Sequence, residues 1–175
     1  DLGAAQALLE SLYSHFGTGV AKPRINFAGG EPLLLGERLV TTIELARTIG
    51  FDVSLISNGS LLSERRVSQL APHLSLLGLS IDSVRPEVLA AIGRQSRSSC
   101  QVDFATLVQL VARARRINPL LNLKINTVVC AANWKDDLAD AIRDLSPRRW
   151  KLLRMLPVVS HELEVTAAQF SAFVE

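Results

Sequence analysis

Five short runs rich in apolar and β-branched residues recur along this chain, each followed by helical periodicity and never by a hairpin signal. Arg24 to Ala28, Asp52 to Ser57, Leu76 to Ile81, Leu121 to Val129 and Trp150 to Leu156 read as strands. Ala4 to Phe16, Glu37 to Ile49, Leu62 to Leu70, Glu87 to Ile92, Asp103 to Ile117, Trp134 to Leu145 and Thr166 to Phe173 read as helices. Parallel strands need a crossover, commonly a helix, so this alternation restricts the fold to α/β with a parallel sheet. Leu76 to Ile81 is nearly all apolar, as expected for a strand covered on both faces. The pattern leaves two arrangements open, a doubly wound sheet or part of a βα barrel. No G-x-G-x-x-G follows the first strand, which weighs against a dinucleotide-binding version.

Local signals agree with that division. Gly17, Gly19 and Gly50 can stop the first two helices. Asn58-Gly59 marks a turn, and Ser60 or Ser63 can cap the helix after it. Pro86 opens a helix at its first turn. Asp103 caps the clearest helix, which turns Leu107, Leu110, Val111 and Ala114 inward. Gly93 to Gln101 is a loop rich in Ser and Arg.

Composition limits the function classes. The chain of 175 residues is long enough for one domain with its own core, and residues 1–175 are read as such. Lys plus Arg number 19 against 17 Asp plus Glu, so no global field argues for nucleic acid or membrane as a partner. No apolar run reaches the roughly 18 residues that span a bilayer. Cys100 and Cys130 lack the paired spacing of a metal site and read as idle thiols in a reducing compartment, hence a cytoplasmic protein. His15, His73 and His161 share no spacing with a carboxylate or cysteine and read as surface or capping residues. The start, Asp1-Leu2-Gly3, reads as that of a chain cut from a longer one.

The informative residues are the polar ones at the strand ends. Arg24-Ile25-Asn26-Phe27-Ala28-Gly29-Gly30-Glu31-Pro32 climbs to two glycines and a carboxylate. Bare glycines let a backbone approach a ligand, and Pro32 pushes Glu31 towards an extended conformation where α/β folds bind ligands. A carboxylate there suits a ligand ammonium. Later strand ends deliver Ser57-Asn58-Gly59-Ser60, then Ser80, Asp82 and Ser83 with Arg94 soon after. The fourth strand alternates Lys124, Asn126 and Val128 with Ile125, Thr127 and Val129, so Lys124 and Asn126 share a face. A Lys within an apolar strand is costly to bury unless an anion or carboxylate meets it. Arg24, Lys124, Arg149 and Lys151, if they converge, make a polyphosphate or polycarboxylate site. Read alone, Arg148, Arg149, Lys151 and Arg154 are a solvated surface run; taken with Lys124-Ile125-Asn126, the ligand reading pulls ahead. No nucleophile elbow, catalytic carboxylate pair or P-loop is present, so bond-breaking needs an added cofactor.

In order, Asn26-Phe27-Ala28-Gly29-Gly30-Glu31-Pro32, Val53-Ser54-Leu55-Ile56-Ser57-Asn58-Gly59-Ser60-Leu61, Leu79-Ser80-Ile81-Asp82-Ser83 with Ile92-Gly93-Arg94, Lys124-Ile125-Asn126-Thr127-Val128 and Arg149-Trp150-Lys151 resemble the radical S-adenosylmethionine enzymes, most of all the viperin-like family. The first segment indicates only the superfamily; Lys-Ile-Asn and Arg-Trp-Lys narrow it. The resemblance implies a partial parallel (βα)6 barrel in which S-adenosylmethionine meets a [4Fe–4S] cluster and yields a 5′-deoxyadenosyl radical. It implies a nucleoside triphosphate substrate converted to its 3′-deoxy-3′,4′-didehydro analogue in antiviral defence, with an electron donor protein as partner. By that likeness Gly29, Gly30 and Glu31 hold the methionine amino end. Asn58, Ser80 and Asp82 line the ribose and methionine side, and Arg94 meets the methionine carboxylate. Arg24, Lys124, Arg149 and Lys151 clamp the triphosphate, with Asn126 near the ribose or base.

The sequence departs from the family in places. The three-cysteine cluster motif is absent, and Cys100 and Cys130 do not supply its spacing. A cluster-bearing first strand and loop is therefore expected before Asp1, and a substrate-closing segment after Glu175. Arg24 and Ala28 stand where a lysine and commonly a serine are expected, which leaves the nucleobase open. Two other readings stay available, a radical enzyme acting on a peptide or cofactor precursor and a cluster-less nucleotide-binding barrel.

Overall fold

The computed structural model describes residues 1–19, 21–93, 102–157 and 161–175. Five strands, β1 (Arg24–Phe27), β2 (Asp52–Ser57), β3 (Leu76–Ser80), β4 (Asn122–Val129) and β5 (Arg149–Arg154), form one sheet. All pairings are parallel and the spatial order is the chain order. That order decides between the two arrangements left open. Right-handed crossovers that always step the same way put every helix on one face, which is the winding of a barrel rather than of a doubly wound sheet.

The connecting helices are α2 (Glu37–Ile49), α3 (Glu64–Leu70), α4 (Pro86–Ala91) and α5 (Phe104–Ile117), then α6 (Ala139–Leu145) between β4 and β5. Helix α1 (Leu2–Phe16) precedes the sheet and α7 (Ala167–Val174) follows it. Local chemistry explains their ends. Asp103 accepts from Thr106 N at 2.8 Å at the start of α5, and Ser63 accepts from Arg66 N at the start of α3. Thr166 and Gln169 make a reciprocal capping box on α7.

The sheet face that meets the helices carries Val53, Leu55, Leu77, Leu79, Leu123 and Ile125, packed with Leu39, Ile43 and Ala46 of α2 and Leu107, Leu110 and Val111 of α5. Leu55, Leu79 and Ile125 are wholly buried. Truncating one of them to Ala costs about 2–5 kcal/mol by the removed contacts and the cavity left behind. The opposite face holds the alternate residues, and on β4 burial alternates strictly along the strand. The expected pairing of Lys124 with Asn126 on one face is thus the observed one.

Several boundaries differ from the sequence reading, those of α3, α6 and β5 among them. Helix α3 begins at Glu64 because Ser63 spends its hydroxyl as cap. Helix α6 begins at Ala139, not Trp134. The wholly buried Asn133 side chain bonds Cys130 N, Asp82 O and Val128 O, which holds residues 131–135 in turns. Strand β5 starts one residue earlier and ends at Arg154, where β4 also runs out of partners at Val129.

Candidate functional site

At the carboxyl end of β1, Gly29 and Gly30 take φ of 98° and 52°, and nothing lies within 4 Å of where a Cβ would stand on either. Both present bare peptide groups, in a conformation that side-chain-bearing residues rarely adopt. Glu31 is extended, with φ −126° and ψ 105°, as the residue before Pro32 should be. Its carboxylate is not idle. Oε1 accepts from Leu33 N at 3.0 Å and from Ser57 Oγ at 2.8 Å, and Oε2 accepts from Asn58 N at 2.7 Å. A carboxylate offers about four acceptor positions, so about one is left for a ligand. The sequence reading gave Glu31 to a ligand ammonium; the fold first uses it to tie the exit of β1 to the exit of β2.

The exit of β2 is itself a compact turn. Ser57 Oγ accepts from Gly59 N at 3.0 Å and Asn58 Oδ1 from Ser60 N at 2.9 Å. Beyond β3, the buried Asp82 accepts from Val128 N at 2.7 Å, and Thr127 donates to Ile81 O at 2.6 Å. These three strand ends surround a cavity of about 810 Å³ that Gly29, Gly30, Glu31, Asn58, Ser80 and Asp82 all line. Leu89 of α4 with Phe104 and Leu107 of α5 form an apolar wall. The size falls in the usual range of roughly 300–1,000 Å³ for small-molecule sites, as does the mix of apolar wall and few polar groups. Leu107, read from sequence as core, is core and cavity wall at once, and Phe104, which that reading left out, lines the wall beside it; helical periodicity alone does not tell core from cavity wall. Arg94 lies outside the described residues.

The second candidate group lies on the helix-free face. Register places Lys124 beside Arg149, and Asn126 between Ser80 on one side and Lys151 on the other. Burial pulls the Lys124 ammonium below its ordinary pKa, and the neighbouring Lys151 and Arg149 charges push the same way. Among the described residues none of these three cations has a hydrogen bond or ion pair. Three like charges thus share this face with no counter-charge among the described residues, an arrangement whose mutual repulsion an anion would relieve.

Arg24 does not join them. It starts β1, where Nη2 and Nε reach Asp52 Oδ2 at 2.5 Å and 2.8 Å. Burial would raise the Asp52 pKa, but the Ser75 hydroxyl and the Arg24 guanidinium outweigh it and hold the carboxyl below its ordinary value. Following the register across β2 and β3, Arg24 sits three strands from Lys124 and four residues lower. At about 4.8 Å per strand and 3.3 Å per residue, that separates them by more than about 10 Å in each direction. The convergence of four cations expected from sequence is a convergence of three.

The described residues contain no group of three or more His, Cys, Asp or Glu side chains able to hold a metal ion. The buried Cys130 is alone, and Cys100 is outside the described residues. The described residues do not fit a [4Fe–4S] cluster. No described helix is long and apolar enough to cross a membrane.

Residues 14–129 match the family model of the Radical SAM superfamily, and the chain belongs to that superfamily. Among curated relatives, an S-adenosylmethionine-dependent nucleotide dehydratase of Pseudoalteromonas ulvae is 43% identical over 151 residues, covering 86% of this chain and 49% of the relative. A dehydratase of the same description from Selenomonas ruminantium is 36% identical over 159 residues, covering 86% and 57%. The chain thus spans about half the length of the curated relatives it matches. Among solved structures, native anSMEcpe with bound AdoMet superposes with a TM-score of 0.75 at 16% identity, over 99% of this chain and 49% of that one. At that identity the likeness is one of fold.

Proposed function

We propose that this chain is the S-adenosylmethionine- and nucleotide-binding core of a viperin-like nucleotide dehydratase, acting on a nucleoside triphosphate to give the 3′-deoxy-3′,4′-didehydro product. One observation carries the reading. The row Ser80–Asn126–Lys151 runs across adjacent strands from the cavity wall to the unpaired cations, two strand spacings or about 10 Å. A ribose held near Asn126 would place its triphosphate on Lys124, Arg149 and Lys151 and its sugar carbons beside the cavity. The dehydratase names of the relatives support the same substrate class.

In this reading the exposed peptide groups of Gly29 and Gly30 and the remaining acceptor position of Glu31 receive the methionine ammonium. Asn58, Ser80 and Asp82 border the sugar and methionine portions. Leu89, Phe104 and Leu107 exclude water from that side. S-adenosylmethionine would supply the radical chemistry, and the residues named here would hold it and the nucleotide. The chain contributes position and charge: two reactants held in fixed relation, with the polyanion neutralised on three cations.

The test is S-adenosylmethionine cleavage by the full-length reconstituted protein with and without CTP, UTP or GTP. One of the nucleotides should raise 5′-deoxyadenosine formation and leave as a dehydrated product. Cleavage indifferent to all of them overturns the nucleotide assignment, and a peptide or cofactor precursor then becomes the substrate to seek.

A further inference from the structure

The polar wall of the cavity is held from behind by the loop after β4. Asn133 donates through Nδ2 to Asp82 O at 2.7 Å and Val128 O at 2.9 Å, while its Oδ1 accepts from Cys130 N at 2.7 Å. Both of its N–H donors are spent and its oxygen is engaged, and the residue is wholly buried. Three residues on, the Asp136 carboxylate reaches the same segment. Ser83 Oγ donates to Asp136 Oδ2 in a short hydrogen bond, and Arg85 Nη1 donates to Asp136 Oδ1 at 3.1 Å. Ser83 Oγ in turn accepts from Arg85 N at 3.1 Å. The Asp136 side chain is 3% exposed. A buried carboxylate is tolerated only when its partners stay in place, so this one constrains the segment it bonds.

Neither Asn133 nor Asp136 lines the cavity, whereas Ser80, Ile81, Asp82 and Ser83 all do. We propose that Asp136, with Asn133, is a positioning residue that sets the Ser80–Ser83 wall for the cofactor without touching it. The inference rests on the reading of this cavity as the S-adenosylmethionine site. Asn133 also reaches β4 at Val128, but among the described residues the Asp136 side chain bonds only Ser83 and Arg85, while Lys124, Arg149 and Lys151 are held lower on the paired ladder of β4 and β5. Loosening the latch therefore weakens one ligand and spares the other, which general destabilisation does not do.

Equilibrium binding of S-adenosylmethionine and, separately, of CTP to the full-length protein tests this, with D136N as the first variant. The isosteric amide removes the charge that holds Arg85 and weakens the Ser83 bond. The S-adenosylmethionine Kd should rise about tenfold and the CTP Kd stay within about twofold. Amide hydrogen exchange should quicken at Ile81 to Ser83 and not at Lys124 to Asn126. Should D136N fail to fold, R85M removes only the half-exposed end of the latch and carries the same comparison with a smaller shift. Unchanged S-adenosylmethionine affinity, or equal losses for both ligands, overturns the inference alone. A wild-type protein that binds CTP but no S-adenosylmethionine overturns the cofactor reading, and the inference with it.

Discussion

The two candidate sites have opposite electrostatic economies. In the cavity, the polar groups already have partners from the chain: Glu31 has three donors, Asn58 Oδ1 accepts from Ser60 N, and Asp82 accepts from Val128 N. On the β4–β5 face, Lys124, Arg149 and Lys151 face one another with no counter-charge among the described residues. The first region is organised before a ligand arrives. The second is strained by mutual repulsion and becomes favourable only when an anion enters. A small zwitterionic ligand with directional needs suits the first, and a polyphosphate, which needs charge more than angle, suits the second.

The largest test of this contrast is Glu31→Ala. It leaves Leu33 N, Asn58 N and Ser57 Oγ without their acceptor, each worth about 1–3 kcal/mol where water cannot replace it. Thermal unfolding should fall by several degrees and S-adenosylmethionine binding should be lost. A variant as stable as wild type would show that the cavity is not self-organised.

The next is Lys124→Met, for which the contrast demands the reverse. CTP affinity should drop about 10- to 100-fold, as for loss of one charged hydrogen bond, while stability holds or rises because the repulsion is relieved. The pH dependence has a definite sign. The folded-state pKa of Lys124 lies below its ordinary value of 10.5, so folding disfavours the proton. That cost is fully present below the lowered pKa and is relieved as pH rises towards 10.5. Denaturant midpoints of wild type and Lys124→Met should converge across that alkaline window and differ below it. Parallel curves would mean that Lys124 already has a counter-charge.

Asp52→Asn makes the smallest change. It removes the partly exposed Arg24 pair, worth less than about 1 kcal/mol. The Asp52 pKa is depressed, so its contribution is present above the ordinary carboxylate value and fades as pH falls through the lowered one. Neither ligand's affinity should move by more than about twofold. A large loss of CTP affinity would return Arg24 to the anion site.

Much of this was legible in residues read one after another. The alternation of strand and helix, the turn at Gly29-Gly30-Glu31-Pro32 and the shared face of Lys124 and Asn126 follow from local sterics and the two-residue period of a strand. The start of α6 was misread because Asn133 forms bonds with Asp82 O across 51 residues of chain, a contact no window around Trp134 contains. The same reason hid the latch through Asp136, whose partners Ser83 and Arg85 belong to another strand's exit.

By itself the sequence determined which chemistries are available: bare glycines and a carboxylate at one strand end, small polar groups at the next two, and cations on alternate positions of the last two strands. These are properties of single residues and short spacings. Only the tertiary structure decided the company each keeps, because strand order and register are set by core packing summed over the whole sheet. That is why Arg24 goes to Asp52, Lys124 is left to Arg149 and Lys151, and Glu31 becomes a tie before it is a ligand.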